Sequence, residues 1–357
     1  MSKTLLVMAG GTGGHVFPGL AVADLLARRG WKIVWMGNPD SFEARTVPLR
    51  GYEMAWVRFG ALRGKGLLRK LLLPVALLSG FWQALREIRR IKPDVVLGMG
   101  GYVSFPGGMM AVLLNRPLVI HEQNSIAGLA NRVLSKVADR VVCGFPDALP
   151  KSAWVGNPVR PEIAKLADPV ERLVGRDEGL GAPLRLLVLG GSLGAAAINE
   201  IVPKGLALIP EAERPQIVHQ AGEKHLATLE ANYAAAGVRA NCVAFIEDMA
   251  GAYEWADLVL CRAGALTVAE LAAAGVASIL VPFPHAVDDH QTANARFLST
   301  AGGAFLLPQH EMTPESVSLI RNYTRGQLLQ MAGRARALAR ANAAEDVARV
   351  CEEVCRT

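Results

Sequence analysis

Leu5-Leu6-Val7-Met8-Ala9-Gly10-Gly11-Thr12-Gly13-Gly14-His15 is a short apolar run that stops in a glycine-rich turn. The second half of the chain repeats the pattern in Leu186-Leu187-Val188-Leu189-Gly190-Gly191-Ser192-Leu193-Gly194. A buried parallel strand followed by glycines and then a helix brings backbone N–H groups close to a phosphate or a sugar. Two copies predict an α/β protein of two similar, doubly wound parallel-sheet domains, facing one another across a ligand-holding cleft.

Strand-length apolar runs alternate with helical patterns outward from both turns, as βαβ units require. In the first half strands are expected at Leu5–Ala9, Lys32–Met36, Met54–Val57, Val95–Met99, Leu118–His121 and Arg140–Cys143. In the second they are expected at Leu186–Leu189, Gln216–Gln220, Cys242–Phe245, Leu258–Cys261, Ser278–Val281 and Ala304–Leu307. Gly156-Asn157-Pro158-Val159-Arg160-Pro161 interrupts regular structure and marks the boundary between domains 1–160 and 161–340. Residues 341–357 read as an amphipathic helix that packs back on the first domain.

With 51% hydrophobic and 20% charged residues in 357, the chain is globular and long enough for two cores. Its five cysteines form no Cys-x-x-Cys pair and read as reduced thiols of a cytoplasmic protein. Leu5–Ala9 leads straight into glycines, unlike a signal peptide, and no apolar stretch has the ~18–20 residues of a bilayer span. Residues 1–160 carry 21 basic against 9 acidic side chains, and residues 161–357 carry 17 against 23. The basic half should meet something anionic: a phospholipid surface, a pyrophosphate or a nucleic acid. Nucleic acid is the weakest of these, because no recognition-helix, RNP or zinc-finger pattern is present.

The Gly10–His15 turn is neither a dinucleotide fingerprint nor a P-loop, since Val16 stands where the third glycine belongs and no Gly-Lys-Ser/Thr follows. It is a plain tight turn, or it presents His15 as a general base at the start of a helix. Cys261-Arg262-Ala263-Gly264-Ala265-Leu266-Thr267-Val268-Ala269-Glu270 follows a strand and opens a helix whose free N–H groups suit a diphosphate. Glu270 lies about one turn inside, where it could accept ribose hydroxyls or simply favour the helix dipole. The polar loop Pro282–Asn294 contains Gln291, a candidate sugar ligand; the consecutive Asp288, Asp289 and His290 do not suggest a metal site. Gly98–Tyr102 and His121-Glu122-Gln123-Asn124 each follow a strand, and the second reads as a wall of the ligand cleft. Between Leu62 and Lys92 an apolar block with Phe81 and Trp82 is bracketed by cations. Two readings fit that block: a surface dipping into the membrane interface through Leu72, Val75, Leu78 and Trp82, or a core helix with solvated ends.

Taken together these segments resemble, over essentially the whole chain, the MurG-type bacterial glycosyltransferases. The resemblance rests on residues 10–23 (GGTGGHVFPGLAVA), 62–66 (LRGKG), 93–108 (PDVVLGMGGYVSFPGG), 121–132 (HEQNSIAGLANR), 154–160 (WVGNPVR), 190–195 (GGSLGA), 261–275 (CRAGALTVAELAAAG) and the Gln291 loop. It implies a GT-B fold and inverting transfer of N-acetylglucosamine from UDP-N-acetylglucosamine. The implied acceptor is the 4-hydroxyl of N-acetylmuramoyl-pentapeptide on undecaprenyl pyrophosphate (lipid I to lipid II), a step of peptidoglycan synthesis. UDP-N-acetylglucosamine is then a co-substrate, with no cofactor or metal. The implied location is peripheral, on the cytoplasmic face of the bacterial inner membrane, with lipid I, an anionic membrane surface and other cell-wall synthesis proteins as partners.

By the same resemblance Thr12, Gly13, Gly14, Asn124, Arg160, Ser192, Ile246, Ala265 to Glu270 and Gln291 line the donor site. Ile246 reads uracil through its backbone, Glu270 takes the ribose, and Ser192 with the Ala265–Thr267 amides holds the diphosphate. Gly101 and Tyr102 bind acceptor; His15 is first choice for base and Glu122 second. Leu193 departs from the glutamine common in relatives, which a backbone-dominated turn tolerates. Two rival readings are another GT-B sugar-nucleotide enzyme, an epimerase or a lipid glucosyltransferase, and a non-catalytic membrane scaffold that merely binds a sugar nucleotide.

Overall fold

The computed structural model describes residues 2–59, 73–174, 183–191 and 195–355. They form two compact units, Met1–Arg160 with Arg340–Thr357, and Pro161–Ala339. The first unit holds β1 (Thr4–Ala9), β2 (Lys32–Gly37), β3 (Glu53–Trp56), β4 (Val95–Gly100), β5 (Leu118–Glu122), β6 (Arg140–Cys143) and β7 (Ala153–Trp154). The second holds β8 (Arg185–Leu189), β9 (Gln216–Gln220), β10 (Asn241–Val243), β11 (Leu258–Cys261), β12 (Ala277–Leu280) and β13 (Ala304–Leu306). The sheet orders are β3-β2-β1-β4-β5-β6-β7 and β10-β9-β8-β11-β12-β13. Both sheets are parallel, with β1 between β2 and β4, and β8 between β9 and β11.

Burial on both faces explains why the strands are apolar throughout instead of alternating with polar residues. Leu5, Val7 and Ala9 of β1 pack into one core cluster, while Leu6 and Met8 pack into another on the opposite face. That is the two-residue period of a strand. The helix Ala343–Val354 closes the first cluster. Its Val347, Ala348, Cys351 and Val354 join Val16, Leu20, Ala23 and Leu26 of the helix Gly13–Arg28. Arg29 adds ion pairs to Glu345 and Glu352 at the rim.

Every strand expected from sequence is present, with ends shifted by a residue or two. The unexpected one is β7, two residues long and too short to leave a periodic signal. Its Trp154 donates its indole N–H to the Gly144 carbonyl at 3.1 Å and lies 3.8 Å beneath the Arg340 guanidinium. β10 stops at Val243, two residues before the expected end, which leaves Phe245 in the following loop with its ring largely exposed. All five cysteines are free thiols, and burial pushes Cys261 up to about 12.

In the second unit β9 carries His219, fully buried between Nδ1···Oη of Tyr233 at 2.9 Å and Nε2···Oδ1 of Asn199 at 3.1 Å. Burial lowers its pKa from 6.5 to about 3. The unfolded chain therefore takes up this proton near pH 6.5 and the folded chain only near pH 3, so stability falls as the pH drops through that window. Between pH 6.5 and 5, above the carboxylate range, the unit should lose about 2 kcal/mol through this group. His219→Gln, which keeps polar partners without titrating, should flatten that slope in calorimetry; an unchanged slope would contradict the assignment.

Candidate active site

In open parallel sheets ligands bind beyond the carboxyl ends of the strands, where strand order reverses. Those points lie between β1 and β4 in the first unit and between β8 and β11 in the second. Each glycine turn follows one of them.

In the first unit the Gly10 N–H donates to the Gly100 carbonyl at 3.3 Å, bringing the two turns together. Gly101, at φ +89°, lies so close that a Cβ there would collide with the Gly10 backbone. A Cβ on Gly100 would sit 3.0 Å from the His15 ring, so the imidazole rests on that turn. The Gly11 N–H, in a turn of the kind that meets a phosphate or a sugar, donates at 3.0 Å to Oε2 of Glu43. The other oxygen of this buried carboxylate accepts the Asn38 N–H at 3.1 Å. Glu43 had no distinguishing sequence signal; it lies in the first turn of the short helix Phe42–Thr46. Thr12 caps the following helix without a side-chain hydrogen bond, and Gly13 and Gly14 form its first turn. Tyr102 is exposed beside Gly101.

His121, Glu122 and Gln123 do not line a surface wall. All three are buried, because they satisfy one another and nearby backbone groups. Glu122 accepts from the Asn124 N–H at 2.9 Å, Asn124 Nδ2 at 3.3 Å, the Gly128 N–H at 3.2 Å and Asn131 Nδ2 at 2.8 Å. Four donors on a buried carboxylate organise the loop and leave it badly placed to take a substrate proton, which corrects the expectation of Glu122 as a second base. His121 places Nε2 at 2.9 Å from the Gly156 carbonyl, and burial lowers its pKa to about 4. Gln123 bridges the two histidines, with Oε1 2.7 Å from His15 Nδ1 and Nε2 3.0 Å from His121 Nδ1.

In the second unit the Gly191 N–H donates at 3.1 Å to Oε1 of Gln220, whose Nε2 donates to the carbonyls of Gly191 and Ala244. A neutral amide thus occupies the position that the Glu43 carboxylate takes in the first unit. Ser192 and Leu193 lie outside the described residues. The helix Ala265–Ala274 starts directly after β11, with Gly264 as N-cap and no side-chain cap. Leu266, Thr267 and Ala269 are half-buried, whereas Ala265 and Val268 are buried. Val268 also spends its N–H on the Gly264 carbonyl, so neither its side chain nor its amide faces a ligand, contrary to expectation. Glu270 is buried too, and the Tyr253 hydroxyl donates to its Oε2 at 3.2 Å.

Arg262 had no distinct role in the sequence. It ties β11 to the loop after β12, donating to the carbonyls of Val281 and Pro282 at 3.2 Å each and to Oε1 of Gln309 at 2.6 Å. Gln291 Oε1 accepts the Phe283 N–H at 2.9 Å, which fixes the same loop. Ile246 is half-buried, next to a cavity of about 280 Å³ bounded by Gln220, Lys224, Ala244 and Phe245. Asn124 and Arg160, both in the first unit, are half-buried.

The helix Leu73–Ile91 buries Ala84 and Ile88 and leaves Val75, Leu78 and Trp82 at 63%, 69% and 65% exposure. The i, i+3, i+7 spacing makes one outward stripe, so these residues are not core. Arg86 continues the stripe, two-thirds exposed. Leu72 lies outside the described residues. No described helix is long and apolar enough to cross a membrane. Leu113 and Leu129, on the neighbouring helices Ser104–Leu113 and Leu129–Leu134, are exposed to a similar degree and had no sequence signal of their own.

Two parallel-sheet units with glycine turns at their switch points are the architecture of the GT-B class of glycosyltransferases. The glycosyltransferase family 28 N-terminal domain matches residues 5–143 and the family 28 C-terminal domain matches residues 185–350. The chain belongs to glycosyltransferase family 28. It is 69% identical over 354 residues, 99% of each chain, to the UDP-N-acetylglucosamine--N-acetylmuramyl-(pentapeptide) pyrophosphoryl-undecaprenol N-acetylglucosamine transferase of Dechloromonas aromatica (strain RCB). The like-named protein of Azoarcus sp. (strain BH72) is 68% identical over 99% of this chain and 98% of its own. Among solved structures, Acinetobacter baumannii MurG superposes with a TM-score of 0.86 at 41% identity, covering 98% of this chain and 99% of its own.

The Gly10–Gly101 approach gives a direct test. Gly51 has a similar φ of +77°, and a Cβ there would meet nothing within 4 Å, so Gly51→Ala should cost about 1 kcal/mol of backbone strain. Gly101→Ala should cost roughly 2 kcal/mol more in urea unfolding, because a methyl group must displace backbone. Equal losses would mean that the two turns do not need to touch.

Proposed function

We propose that this chain transfers N-acetylglucosamine from UDP-N-acetylglucosamine to the 4-hydroxyl of N-acetylmuramoyl-pentapeptide on undecaprenyl pyrophosphate, inverting the anomeric centre. The observation that carries the division of labour is the unequal filling of the two glycine turns. The first already holds the Glu43 carboxylate on the Gly11 N–H, which disfavours a second anion. The second is held by the neutral Gln220 amide and lies beside a helix start without a side-chain cap. Donor diphosphate therefore belongs to the second unit and the acceptor to the first. The full-length likeness to transferases whose names state this reaction supports the same reading.

Single displacement needs a base on the acceptor hydroxyl and stabilisation of the departing UDP. His15 is the base in this reading, removing the proton as the 4-oxygen attacks C1 and the bond to UDP breaks. Gly101 and Tyr102 hold the acceptor sugar beside it. The N–H groups of Ala265, Leu266 and Thr267, with Ser192, take up the charge that develops on the diphosphate. Glu270 accepts from ribose, the Ile246 backbone reads uracil, and Asn124, Arg160, Thr12–Gly14 and Gln291 complete the donor contacts. The Gln291 Oε1 is already used on Phe283, which leaves its NH₂ group for a sugar oxygen. No step calls for a metal.

The exposed stripe Val75, Leu78 and Trp82, followed by Arg86, is the surface that enters an anionic membrane interface and puts the enzyme peripherally beside its lipid acceptor. That surface lies on the cytoplasmic face of the bacterial inner membrane, where other cell-wall synthesis proteins are further partners.

Transfer of labelled N-acetylglucosamine to lipid I tests the reaction. His15→Ala should lower kcat by about 100- to 10,000-fold. A near-normal kcat would remove His15 as base. Glu270→Ala should raise KM for UDP-N-acetylglucosamine by about tenfold or more, and an unchanged KM would remove the ribose role. Leu78→Glu with Trp82→Glu should abolish flotation with anionic liposomes; undiminished flotation would show that the stripe is not the membrane contact.

A further inference from the structure

The His15 ring can work as a base only through a nitrogen that carries a lone pair and faces outward, and the structure contains a device that decides which nitrogen that is. Two main-chain carbonyls set the sense of every hydrogen bond in the chain His121–Gln123–His15. The Gly156 carbonyl, 2.9 Å from His121 Nε2, can only accept, so His121 carries its proton on Nε2. Burial keeps that ring neutral, with a pKa lowered to about 4. His121 Nδ1 is then an acceptor.

The Gln123 side chain has one permitted orientation. Its Nε2 lies 3.0 Å from His121 Nδ1 and 3.0 Å from the His121 carbonyl, both acceptors. Turning the amide over would set its oxygen against both. With Nε2 facing His121, Oε1 faces His15 Nδ1 at 2.7 Å and requires a proton there. Gln123 is itself held, because Asn157 Nδ2 donates to its backbone carbonyl at 3.0 Å. Gly100, where a Cβ would sit 3.0 Å from the imidazole, leaves room for the ring in this position.

We infer that Gln123, oriented by His121, is a positioning residue that fixes His15 as the Nδ1–H tautomer and leaves Nε2 as the lone pair that takes the acceptor proton. The inference rests on the reading of His15 as base. In that step the acceptor O–H proton moves to Nε2, and the transient imidazolium keeps its Nδ1–H on the Gln123 oxygen. A neutral amide in this role orients the ring without the charge that a carboxylate partner would add.

The tautomer can be read without any variant. Long-range ¹H–¹⁵N correlation spectra of the full-length chain with labelled histidine, at a pH where His15 is neutral, should give His15 a protonated Nδ1 and an unprotonated Nε2; His15→Ala identifies its signals among the seven histidines. Gln123→Met, close in size and without hydrogen-bonding groups, should move His15 toward the Nε2–H form that free imidazole side chains prefer in water. It should also lower kcat ~10–100-fold, as loss of a residue that orients a functional histidine does elsewhere, with KM for UDP-N-acetylglucosamine changed far less. An Nε2–H signal for His15 in the wild type, or an unchanged tautomer and kcat in Gln123→Met, would overturn the inference. Full-rate turnover by His15→Ala would instead defeat the base assignment, with the wild-type tautomer signals as they were.

Discussion

The N–H of Gly11 needs an acceptor, and the first unit supplies one from its own interior. Glu43 takes that N–H and the N–H of Asn38 on its two oxygens, so a single buried carboxylate ties the end of β1 to the end of β2. A Cβ at Gly10 would sit 2.7 Å from that carboxylate, which is why the position is glycine. With Gly10 fixed, Gly100 and Gly101 can close on it, and His15 comes to rest on Gly100. The position of the imidazole is thus set by where one backbone N–H finds its partner.

The second unit answers the same demand with an uncharged group. Gln220 both accepts from Gly191 N–H and donates back to Gly191 O. The two turns share a strand–glycine–helix layout and differ by one formal charge. A charge held on such a turn disfavours a phosphate beside it. Duplicated architecture therefore need not mean duplicated chemistry, and the proposed roles of the two turns divide at the side chain beneath each.

The architecture was legible because buried parallel strands and glycine turns leave strong local signals. Twelve of the strands could be placed from apolar runs; β7 could not, because Ala153–Trp154 is held by Arg340 and Gly144, contacts invisible to periodicity. His15 and the Ala265 helix start stood out for the same local reason. What sequence could not give was pairing. Glu43, Gln220 and Arg262 matter through partners far along the chain, and Glu122 resembles a base only while its four donors are out of view. The polar run His121–Gln123 departs from a cleft wall for one physical reason: successive polar side chains can be buried when nearby side-chain and backbone groups satisfy them.

The helix Ala343–Val354 has a consequence for how the chain is made. It supplies Val347, Ala348, Cys351 and Val354 to the core of the unit that contains β1. The unit Pro161–Ala339 lies between the two parts of that core in sequence. As the chain leaves the ribosome from its N-terminus, the second unit has all of its residues before the first can bury its last face. Until then the part of the Gly13–Arg28 helix that packs against Ala343–Val354, on the helix that carries His15 at its start, stays uncovered. Completion of the unit that carries His15 is thereby deferred until after Pro161–Ala339 has been made.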